Sequence, residues 1–277
     1  MEEQIIMIYC ICDDIIKAMN IKEDIQVKMT MAEILTTFFT ATSFFGGNIE
    51  LGRMQMKLMK NVHHMLSKSQ FNRRLRAIPY EVFQSIQLIL SKHFIDCCES
   101  KEFIVDSFPI RVCRNIRIGR CKIYKKEKYR GYNASMREYF YGIKVHMITT
   151  KNREPVEFLF SPASMNDGKA FKDFELDLPK GSILYGDRAY TNYLYEKIVL
   201  DATGIDLKFA RKSNSKKKHK PWIEYLINTA RKGIETAFSN INRLIPKKIH
   251  AVIDHGFELK VLGFILAYSF KCLMVTT

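Results

Sequence analysis

The sequence predicts an α/β protein in which a mixed sheet is flanked by helices and is preceded by an all-helical region. Two observations predict it. Residues 1–100 carry helix-starting signals and apolar residues at helical spacing, whereas from about residue 102 short apolar runs alternate with helical segments. Strands followed by alternating strands and helices are typical of a mixed sheet covered by helices. We therefore expect a helical domain at 1–100 and a sheet-containing domain at 101–277.

The N-terminal region has its first clear helix start at Thr30. In the sequence Thr30-Met-Ala-Glu33 the hydroxyl and the carboxylate can each accept a hydrogen bond from a free backbone N–H, which predicts a capping box. Glycines at 46 and 47 predict the end of this helix.

Two further short helices are expected at about 51–65 and 68–78. In the second, Phe71, Leu75 and Ile78 share one face, and basic and amide side chains lie elsewhere. Short helices with a basic surface suit a helix-turn-helix reader of DNA. A plain helical bundle has the same pattern, so both interpretations stay open.

The C-terminal region contains five segments with strand character, at about 102–110, 141–147, 154–160, 182–187 and 206–210. In the second of them, apolar residues alternate with Gly142, Lys144 and His146, which predicts a strand with one buried face. A turn at 151–153 then predicts that the first three strands form an antiparallel meander. Helices are expected at 167–178, from a cap at Thr191 to about 203, at 223–244 and at 256–274.

Basic residues are concentrated in three runs. The chain has a net charge of +15, but residues 1–50 carry three basic and eight acidic side chains. Residues 51–80 carry seven basic and no acidic side chains, residues 111–130 nine and one, and residues 208–220 seven and none. One such run is often only a solvated face. Three runs together predict a polyanion as partner, with nucleic acid the expected one, since each phosphate contact releases counterions.

Neither of the two apolar stretches, 34–47 and 261–275, approaches the roughly 20 residues that a membrane-spanning helix needs. The opening Met-Glu-Glu lacks the basic start of a signal peptide. The seven cysteines form no C-x-x-C pair. Neighbouring cysteines at 10 and 12 and at 97 and 98 allow a metal or redox interpretation, although free cysteines more commonly fill cores. We expect a cytosolic protein with reduced thiols.

Three acids are candidates for a catalytic site. Asp106 interrupts one apolar strand and Asp187 ends another, where an unpaired carboxylate is costly to bury. Glu235 lies at the edge of the apolar stripe of the long helix, one turn after Arg231. The two form either a simple ion pair on the helix surface or a metal ligand beside a phosphate-binding arginine.

Acids of this kind have a clear chemical use. Carboxylate oxygens are the ligands that Mg²⁺ prefers. Two such ions about 3.5–4 Å apart activate an attacking oxygen and stabilise a leaving one in phosphoryl transfer. Acids far apart in the sequence are expected to meet only in the folded sheet. The residues therefore predict metal-dependent phosphoryl transfer on nucleic acid.

Five segments carry a resemblance to a known family: Ile104-Val-Asp-Ser-Phe-Pro-Ile110, Arg130-Gly-Tyr-Asn-Ala-Ser135, Glu138-Tyr-Phe-Tyr-Gly-Ile-Lys-Val-His146, Leu184-Tyr-Gly-Asp-Arg-Ala-Tyr190 and Arg231-Lys-Gly-Ile-Glu-Thr-Ala-Phe238. With them the chain resembles the DDE transposases of bacterial insertion sequences over about residues 30–270. The motifs Gly-Asp-x-Ala-Tyr and Arg-x-x-x-Glu are each modest signals, and their order along the chain makes them specific together.

The resemblance implies an RNase H-like core in which Asp106, Asp187 and Glu235 form an acidic triad that holds two Mg²⁺ ions, with Mn²⁺ as a substitute. It implies endonuclease cleavage at the ends of an insertion sequence and joining of these ends to target DNA. Double-stranded DNA is then the partner, a homodimer the expected DNA-bound state, and the bacterial cytoplasm and nucleoid the location. Asn228 and Asn242 replace a tyrosine and a lysine of the family pattern, which bears on contacts to the DNA end and on any hairpin intermediate.

Basic side chains from the three runs, together with Arg231, are expected to contact DNA: Arg73, Arg74, Arg76, Lys122, Lys125, Lys126, Lys128, Arg211, Lys216, Lys217 and Lys218. Two other functions stay open. One is an RNase H-like nuclease that cuts without joining, and the other is a DNA-binding regulator whose core is inactive.

Overall fold

The structure is a computed structural model that describes residues 1–133 and 137–276. Its helices are α1 Glu2–Ala18, α2 Met31–Phe44, α3 Ile49–Leu58, α4 Lys68–Ala77, α5 Tyr80–Cys97, α6 Asp167–Ala170, α7 Tyr193–Thr203, α8 Pro221–Leu244 and α9 Asp254–Thr276. Its strands are β1 Glu102–Arg114, β2 Arg130–Asn133, β3 Glu138–Thr150, β4 Pro155–Pro162, β5 Ile183–Gly186 and β6 Asp206–Phe209. Ala134 and Ser135, part of one segment that carries the resemblance, lie outside the described residues. No helix within the described ranges has both the length and the apolar composition needed to cross a membrane.

Two compact units divide the chain. Residues 91–239 form the sheet unit, and residues 1–90 together with 240–277 form the helical unit. The predicted mixed sheet with flanking helices and an N-terminal helical region is therefore confirmed. The C-terminal helix α9 belongs to the helical unit. The functional division of the chain at residue 100 stays a prediction.

The helical unit is built around α2, most of whose side chains are buried. Its predicted capping box is present. The Thr30 hydroxyl accepts a hydrogen bond from the Glu33 N–H at 3.2 Å, and the Glu33 carboxylate accepts one from the Thr30 N–H at 2.6 Å. Gly46 and Gly47 follow with left-handed φ values, so the helix ends where the glycines predict.

Helix α9 packs on α2 through aromatic side chains. The ring centroids of Phe39 and Phe270 lie 5.1 Å apart. Gly263 allows the buried Phe38 ring to approach the helix, since a Cβ at this position would lie 2.4 Å from the ring carbon Cζ. The apolar composition of the helix predicted at 256–274 therefore reflects burial within the helical unit.

Helix α3 is shorter than the helix predicted at 51–65. Lys60 adopts a left-handed φ of +56°, and this conformation ends the helix after Leu58. Helix α4 matches its prediction, and the apolar residues of its inner face are buried as expected. A helix-turn-helix role for these helices stays a prediction.

A mixed sheet of six strands forms the centre of the sheet unit. The strand order is β2–β3–β1–β5–β6, and β4 also pairs with β3. Antiparallel pairing of β1 with β3 and of β3 with β4 confirms the predicted meander. Strands β1, β5 and β6 are parallel to one another. The short strand β2, which the sequence analysis did not predict, lies antiparallel to the start of β3.

Strand β3 is buried on both faces, whereas the sequence predicted one exposed face. As a central strand it is covered on both sides, and two of its polar residues have partners on neighbouring segments. His146 Nε2 lies 2.8 Å from Ser161 Oγ on β4. Lys144 Nζ lies 2.8 Å from the carboxylate of Asp167. The alternation of apolar and polar residues therefore marks internal polar pairs.

The segment 167–178, predicted as one helix, is mostly irregular. Helical geometry is confined to α6 and a following 3-10 turn. The Glu157 carboxylate on β4 accepts hydrogen bonds from the N–H groups of Glu175 and Leu176, at 2.7 and 3.2 Å. Because a side chain satisfies these donors and Leu176 has a left-handed φ, the helix does not continue.

Helix α7 has its N-terminal cap at Asn192 and not, as predicted, at Thr191. The Tyr195 N–H donates to Asn192 Oδ1 at 3.2 Å. The Thr191 hydroxyl instead donates to the carbonyl of Ala210 at 3.1 Å, next to the end of β6. Asn192 therefore caps α7, and Thr191 connects the start of this helix to the residue that follows β6.

Replacing Gly263 by alanine is expected to lower the free energy of unfolding by about 1–3 kcal/mol, because the new Cβ overlaps the buried Phe38 ring. Alanine is the better helix former, so propensity alone predicts the opposite sign. Urea unfolding measures the change. Gly256→Ala, in the same helix, meets only Ile253 Cγ1 at 3.4 Å and should change stability by less than about 0.5 kcal/mol. Equal effects of both substitutions would contradict the packing explanation.

Acid is expected to weaken the fold through His146. Burial lowers the pKa of His146 to about 4, whereas an unfolded histidine titrates near 6.5. The unfolded chain therefore binds a proton that the folded chain excludes, and stability is lost as pH falls from about 6.5 toward 4. His146→Gln should reduce the loss between pH 7 and pH 5, measured by urea unfolding, by about 1–2 kcal/mol. The exposed His63→Gln is the control, and the explanation fails if it matches His146→Gln.

Candidate active site

Asp106 and Asp187 lie next to each other where strand β5 ends. Strands β1 and β5 are parallel, and their last Cα pair is Val105 with Gly186. Asp106 and Asp187 directly follow this pair, so the strand pairing brings the two acids together. The expectation that the sheet, not the local sequence, unites these two residues is confirmed.

Close packing under the two aspartates requires the glycine at position 186. A Cβ there would lie 2.8 Å from Val105 Cγ1 and 2.9 Å from Phe209 Cδ1. A glycine within a strand allows such a close approach. The approach is made by side chains of the neighbouring strands β1 and β6.

The carboxyl group of Asp106 carries the strongest electrostatic signal of the site. Burial raises the pKa of Asp106 to about 6, and the charges of Asp187 and Asp167 act in the same direction. The Ser107 N–H, which donates to Asp106 Oδ1 at 2.8 Å, and the Arg231 guanidinium act against this shift. Burial thus disfavours the ionised form of Asp106, and carboxylates perturbed in this way are frequent at functional sites.

Arg231 reaches the two aspartates from helix α8. Its Nη1 lies 3.4 Å from Asp187 Oδ1, and Asp187 Oδ1 also accepts a hydrogen bond from the Arg188 N–H at 2.7 Å. The sequence allowed an ion pair between Arg231 and Glu235, one turn later. In the structure Arg231 pairs with Asp187 instead, and so it links α8 to the sheet.

Helix α8 is held on the face of β1 that carries Asp106. Phe108, two residues after Asp106 and therefore on the same face, packs against Phe238 with ring centroids 4.5 Å apart. Ile234 is fully buried. Glu235 thus belongs to a helix that packs on the strand of Asp106.

Glu235 itself is exposed and forms no hydrogen bond or ion pair with the residues that the structure describes. Across the described ranges, no group of three or more His, Cys, Asp or Glu side chains is placed to hold a metal ion. The structure therefore brings together two of the three predicted acids. The place of Glu235 as the third stays a prediction.

The donor set of the two aspartates fits a hard divalent cation. Both present carboxylate oxygens, the ligands that Mg²⁺ prefers. Burial and neighbouring carboxylates disfavour the ionised form of Asp106, and a bound cation would stabilise that form. Asp106 and Asp187 would hold such an ion, and a cation of this kind polarises phosphoryl oxygens and lowers the pKa of bound water.

Three residues near the site were missed by the sequence analysis of the catalytic centre. Asp167, held by Lys144 at 2.8 Å, acts on the pKa of Asp106 through its charge. Tyr190 is buried, and burial together with the charges of Asp106 and Asp167 raises its pKa well above the ordinary value. The only sequence signal was the place of Tyr190 in the Gly-Asp-x-Ala-Tyr motif and of Lys144 inside an apolar strand.

The seven cysteines are free thiols. Cys12 is buried and Cys10 is exposed, and Cys97 and Cys98 are at least partly exposed. Because no metal-binding group occurs among the described residues, the pattern of adjacent cysteines gains no support as a metal site.

Most of the basic side chains predicted to contact DNA are exposed: Arg73, Arg76, Lys122, Lys125, Lys126, Lys128, Lys216, Lys217 and Lys218. Arg74 and Arg211 differ, since both are occupied within the protein. Arg74 pairs with Glu23 at 3.1 Å. Arg211 donates two hydrogen bonds to Glu196, at 2.7 and 2.5 Å, and only 8% of its side chain is exposed. These two arginines hold the fold, while the exposed lysines are available to phosphates.

Comparison with known protein families identifies the Transposase DDE domain, whose model matches residues 98–270. Comparisons with curated proteins and with solved structures give no match. The matched range contains both central aspartates, Arg231 and Glu235, and it spans more than half of the chain. The chain therefore belongs to the family of transposases with a DDE domain.

Proposed function

We propose that this transposase cuts the ends of an insertion sequence and joins them to target DNA by two-metal phosphoryl transfer. Asp106, Asp187 and Glu235 form the acidic triad in this proposal. The observation that carries it is the adjacency of Asp106 and Asp187 on parallel strands, with burial raising the pKa of Asp106 to about 6. A partly buried carboxylate pair at the end of strand β5 is costly for a fold and is useful for binding metal ions.

The sheet supports the finer assignment to an RNase H-like core. An antiparallel meander of β1, β3 and β4 continues into the parallel strands β5 and β6. Both aspartates lie on the neighbouring central strands, and the helix of Glu235 packs on one of them. The helical unit and its basic helix α4 are proposed to bind DNA, with a helix-turn-helix as one arrangement.

Each residue of the site has a distinct part in the proposed reaction. Asp106 and Asp187 hold the cations, and Glu235 completes their coordination from α8. Two Mg²⁺ ions held there, or Mn²⁺ in their place, would supply Lewis-acid activation of an attacking oxygen and stabilisation of a leaving one. Arg231 keeps Asp187 in position through the ion pair at 3.4 Å and offers its remaining donors to a phosphate. The hydrolytic step frees 3′-hydroxyls, which then attack target DNA.

Double-stranded DNA is the proposed partner, both as element end and as target. Exposed lysines at 122–128 and 216–218 lie in the unit that contains the acids, and they provide the charge that backbone phosphates require. Joining two ends requires two active sites, so we propose a homodimer on DNA in the bacterial cytoplasm, at the nucleoid.

A nuclease that cuts without joining has the same acids. Only an assay that separates cleavage from strand transfer distinguishes it from the proposed enzyme. A DNA-binding regulator is the second alternative, and it predicts binding without any metal-dependent cleavage. The preserved pair of Asp106 and Asp187 favours catalysis over this alternative.

Asp106→Asn is expected to reduce cleavage and strand transfer by about a hundredfold or more, because a neutral amide binds the cation weakly. Affinity for an end-containing duplex should stay within about twofold, since the basic surfaces are unchanged. A gel assay with labelled DNA measures all three quantities. Asp201→Asn is the control, because Asp201 is an exposed carboxylate on α7. Cleavage by the Asp106→Asn variant at the wild-type rate would refute the assignment.

Mg²⁺ or Mn²⁺ alone is expected to raise the thermal unfolding midpoint of the wild type, because a ligand of the native state stabilises it. Asp106→Asn and Asp187→Asn should remove this rise, and Asp201→Asn should keep it. Since burial disfavours the ionised form of Asp106, the Asp106→Asn variant should start at pH 8 from a midpoint no lower than that of the wild type. A metal-dependent rise that persists in both aspartate variants would place the cation elsewhere.

A further inference from the structure

The first turns of helix α8 carry large aromatic side chains on the surface. Trp222 is 57% exposed and Tyr225 is 70% exposed. They lie three residues apart, so their rings share one side of the helix. Leu226 beside them is also exposed. The burial of α8 against the sheet does not use this aromatic patch.

The aromatic patch directly follows a basic loop. Lys216, Lys217, Lys218 and Lys220 are exposed, and none of them has an ion-pair partner among residues 1–133 and 137–276. The Lys217 ammonium group lies 5.1 Å from the centre of the Tyr193 ring. Unneutralised positive charge therefore borders the exposed rings.

The loop is tied to the sheet unit at two points. Tyr193 Oη lies 2.6 Å from Ser215 Oγ, and His219 Nε2 lies 2.9 Å from the carbonyl oxygen of Phe209. These contacts hold the lysines close to the start of α8. The aromatic patch and the basic loop thus form one continuous surface.

This surface is related to the candidate active site through the geometry of α8. Tyr225 and Glu235 are ten residues apart, which places them about 15 Å apart along the axis and within a quarter turn of each other. The exposed Lys232 lies between them on the same side. A strand that passes Glu235 could therefore continue along this side of the helix to Tyr225. Trp222 lies about 60° further round the helix, beyond Tyr225, and about one turn earlier.

We propose that Trp222 and Tyr225 stack against unpaired bases of the DNA strand next to the catalytic site, while the lysines of residues 216–220 hold its phosphates. This inference rests on the proposed function for the source of the strand. Exposed aromatic rings beside a basic groove bind single strands because every base has a face available for stacking. Paired bases of a duplex are already stacked and do not offer these faces.

Charge selects DNA over a second copy of the chain as the occupant. In a twofold contact the same surface faces itself, so the unpaired lysines of one copy would face those of the other. Like charges opposed in this way weaken an interface. A DNA strand with unpaired bases complements both features, since its phosphates attract the lysines and its bases can stack on the aromatic rings.

The test uses tryptophan fluorescence, because Trp222 is the only tryptophan of the chain. The full-length protein is titrated, without divalent cations, with an oligothymidylate of about 12 nucleotides and with a duplex of equal length. We expect strong quenching by the single strand and little by the duplex. In parallel, fluorescence anisotropy of labelled DNA gives affinities of the variants.

Trp222→Ala and Tyr225→Ala should each weaken single-strand binding by about fivefold or more and leave duplex affinity within about twofold. Trp222→Phe should retain most of the affinity, since a ring remains. The control Leu88→Ala removes an apolar side chain of equal exposure, 56%, from the helical unit and should change neither affinity.

Single-strand binding without a change in Trp222 fluorescence would overturn the proposal. Equal losses of affinity for the single strand and the duplex in the aromatic variants would also overturn it. A dimer that forms without DNA and is converted to a monomer by Trp222→Ala would overturn it as well. A protein that shows the expected quenching yet never cleaves element ends in Mg²⁺ would refute the proposed function and leave the stacking surface intact. Cleavage of element ends together with unchanged single-strand binding by Trp222→Ala and Tyr225→Ala would refute the stacking surface and leave the proposed function intact.

Discussion

The parallel pairing of β1 with β5 is the constraint on which the candidate site depends. It places Asp106 and Asp187 side by side, although neither has a partner of opposite charge in its own strand. Two adjacent carboxylates repel each other, and burial adds to the cost of ionising Asp106. The glycine at 186 makes the pairing tight, because any side chain there would meet Val105 and Phe209. The architecture thus maintains a concentration of carboxylate groups at this point of the sheet.

Helix α8 provides the positively charged side chain that pairs with one of the two aspartates. Arg231 pairs with Asp187, and the contact between Phe108 and Phe238 fixes the helix on β1. The pairing of Arg231 with Asp187 leaves Glu235 without a partner in the part of the chain described. In the proposed reaction this freedom is useful, because a carboxylate that is not bound to an arginine is available as a ligand. One helix therefore carries both the arginine that pairs with Asp187 and the glutamate proposed as the third ligand.

The sequence was sufficient for five of the six strands and for the capping box of α2, since these follow from local patterns. It also singled out Asp106 and Asp187, which the sheet brings together. It was insufficient where a distant side chain decides the local structure. The Glu157 carboxylate accepts hydrogen bonds from the N–H groups of Glu175 and Leu176, within the segment that was predicted to be helical up to residue 178. Lys144 was assigned to an exposed face because its partner, Asp167, lies in another segment. The pairing of Arg231 with Asp187 instead of Glu235 is likewise a property of the tertiary fold.

One departure from the family's helix pattern, Asn228, lies on the surface of α8 near the exposed aromatic residues. Asn228 is exposed two turns before Glu235, where related transposases are expected to have a tyrosine. An amide offers hydrogen bonds but little surface for stacking. Tyr225 and Trp222, one and two turns earlier, are exposed and follow directly on the unpaired lysines. On the proposed surface, aromatic contact with DNA is therefore moved along the helix, away from the acids. The exposed rings then lie about three to four turns of α8 before Glu235, and the intervening turns carry the exposed Asn228 and Lys232.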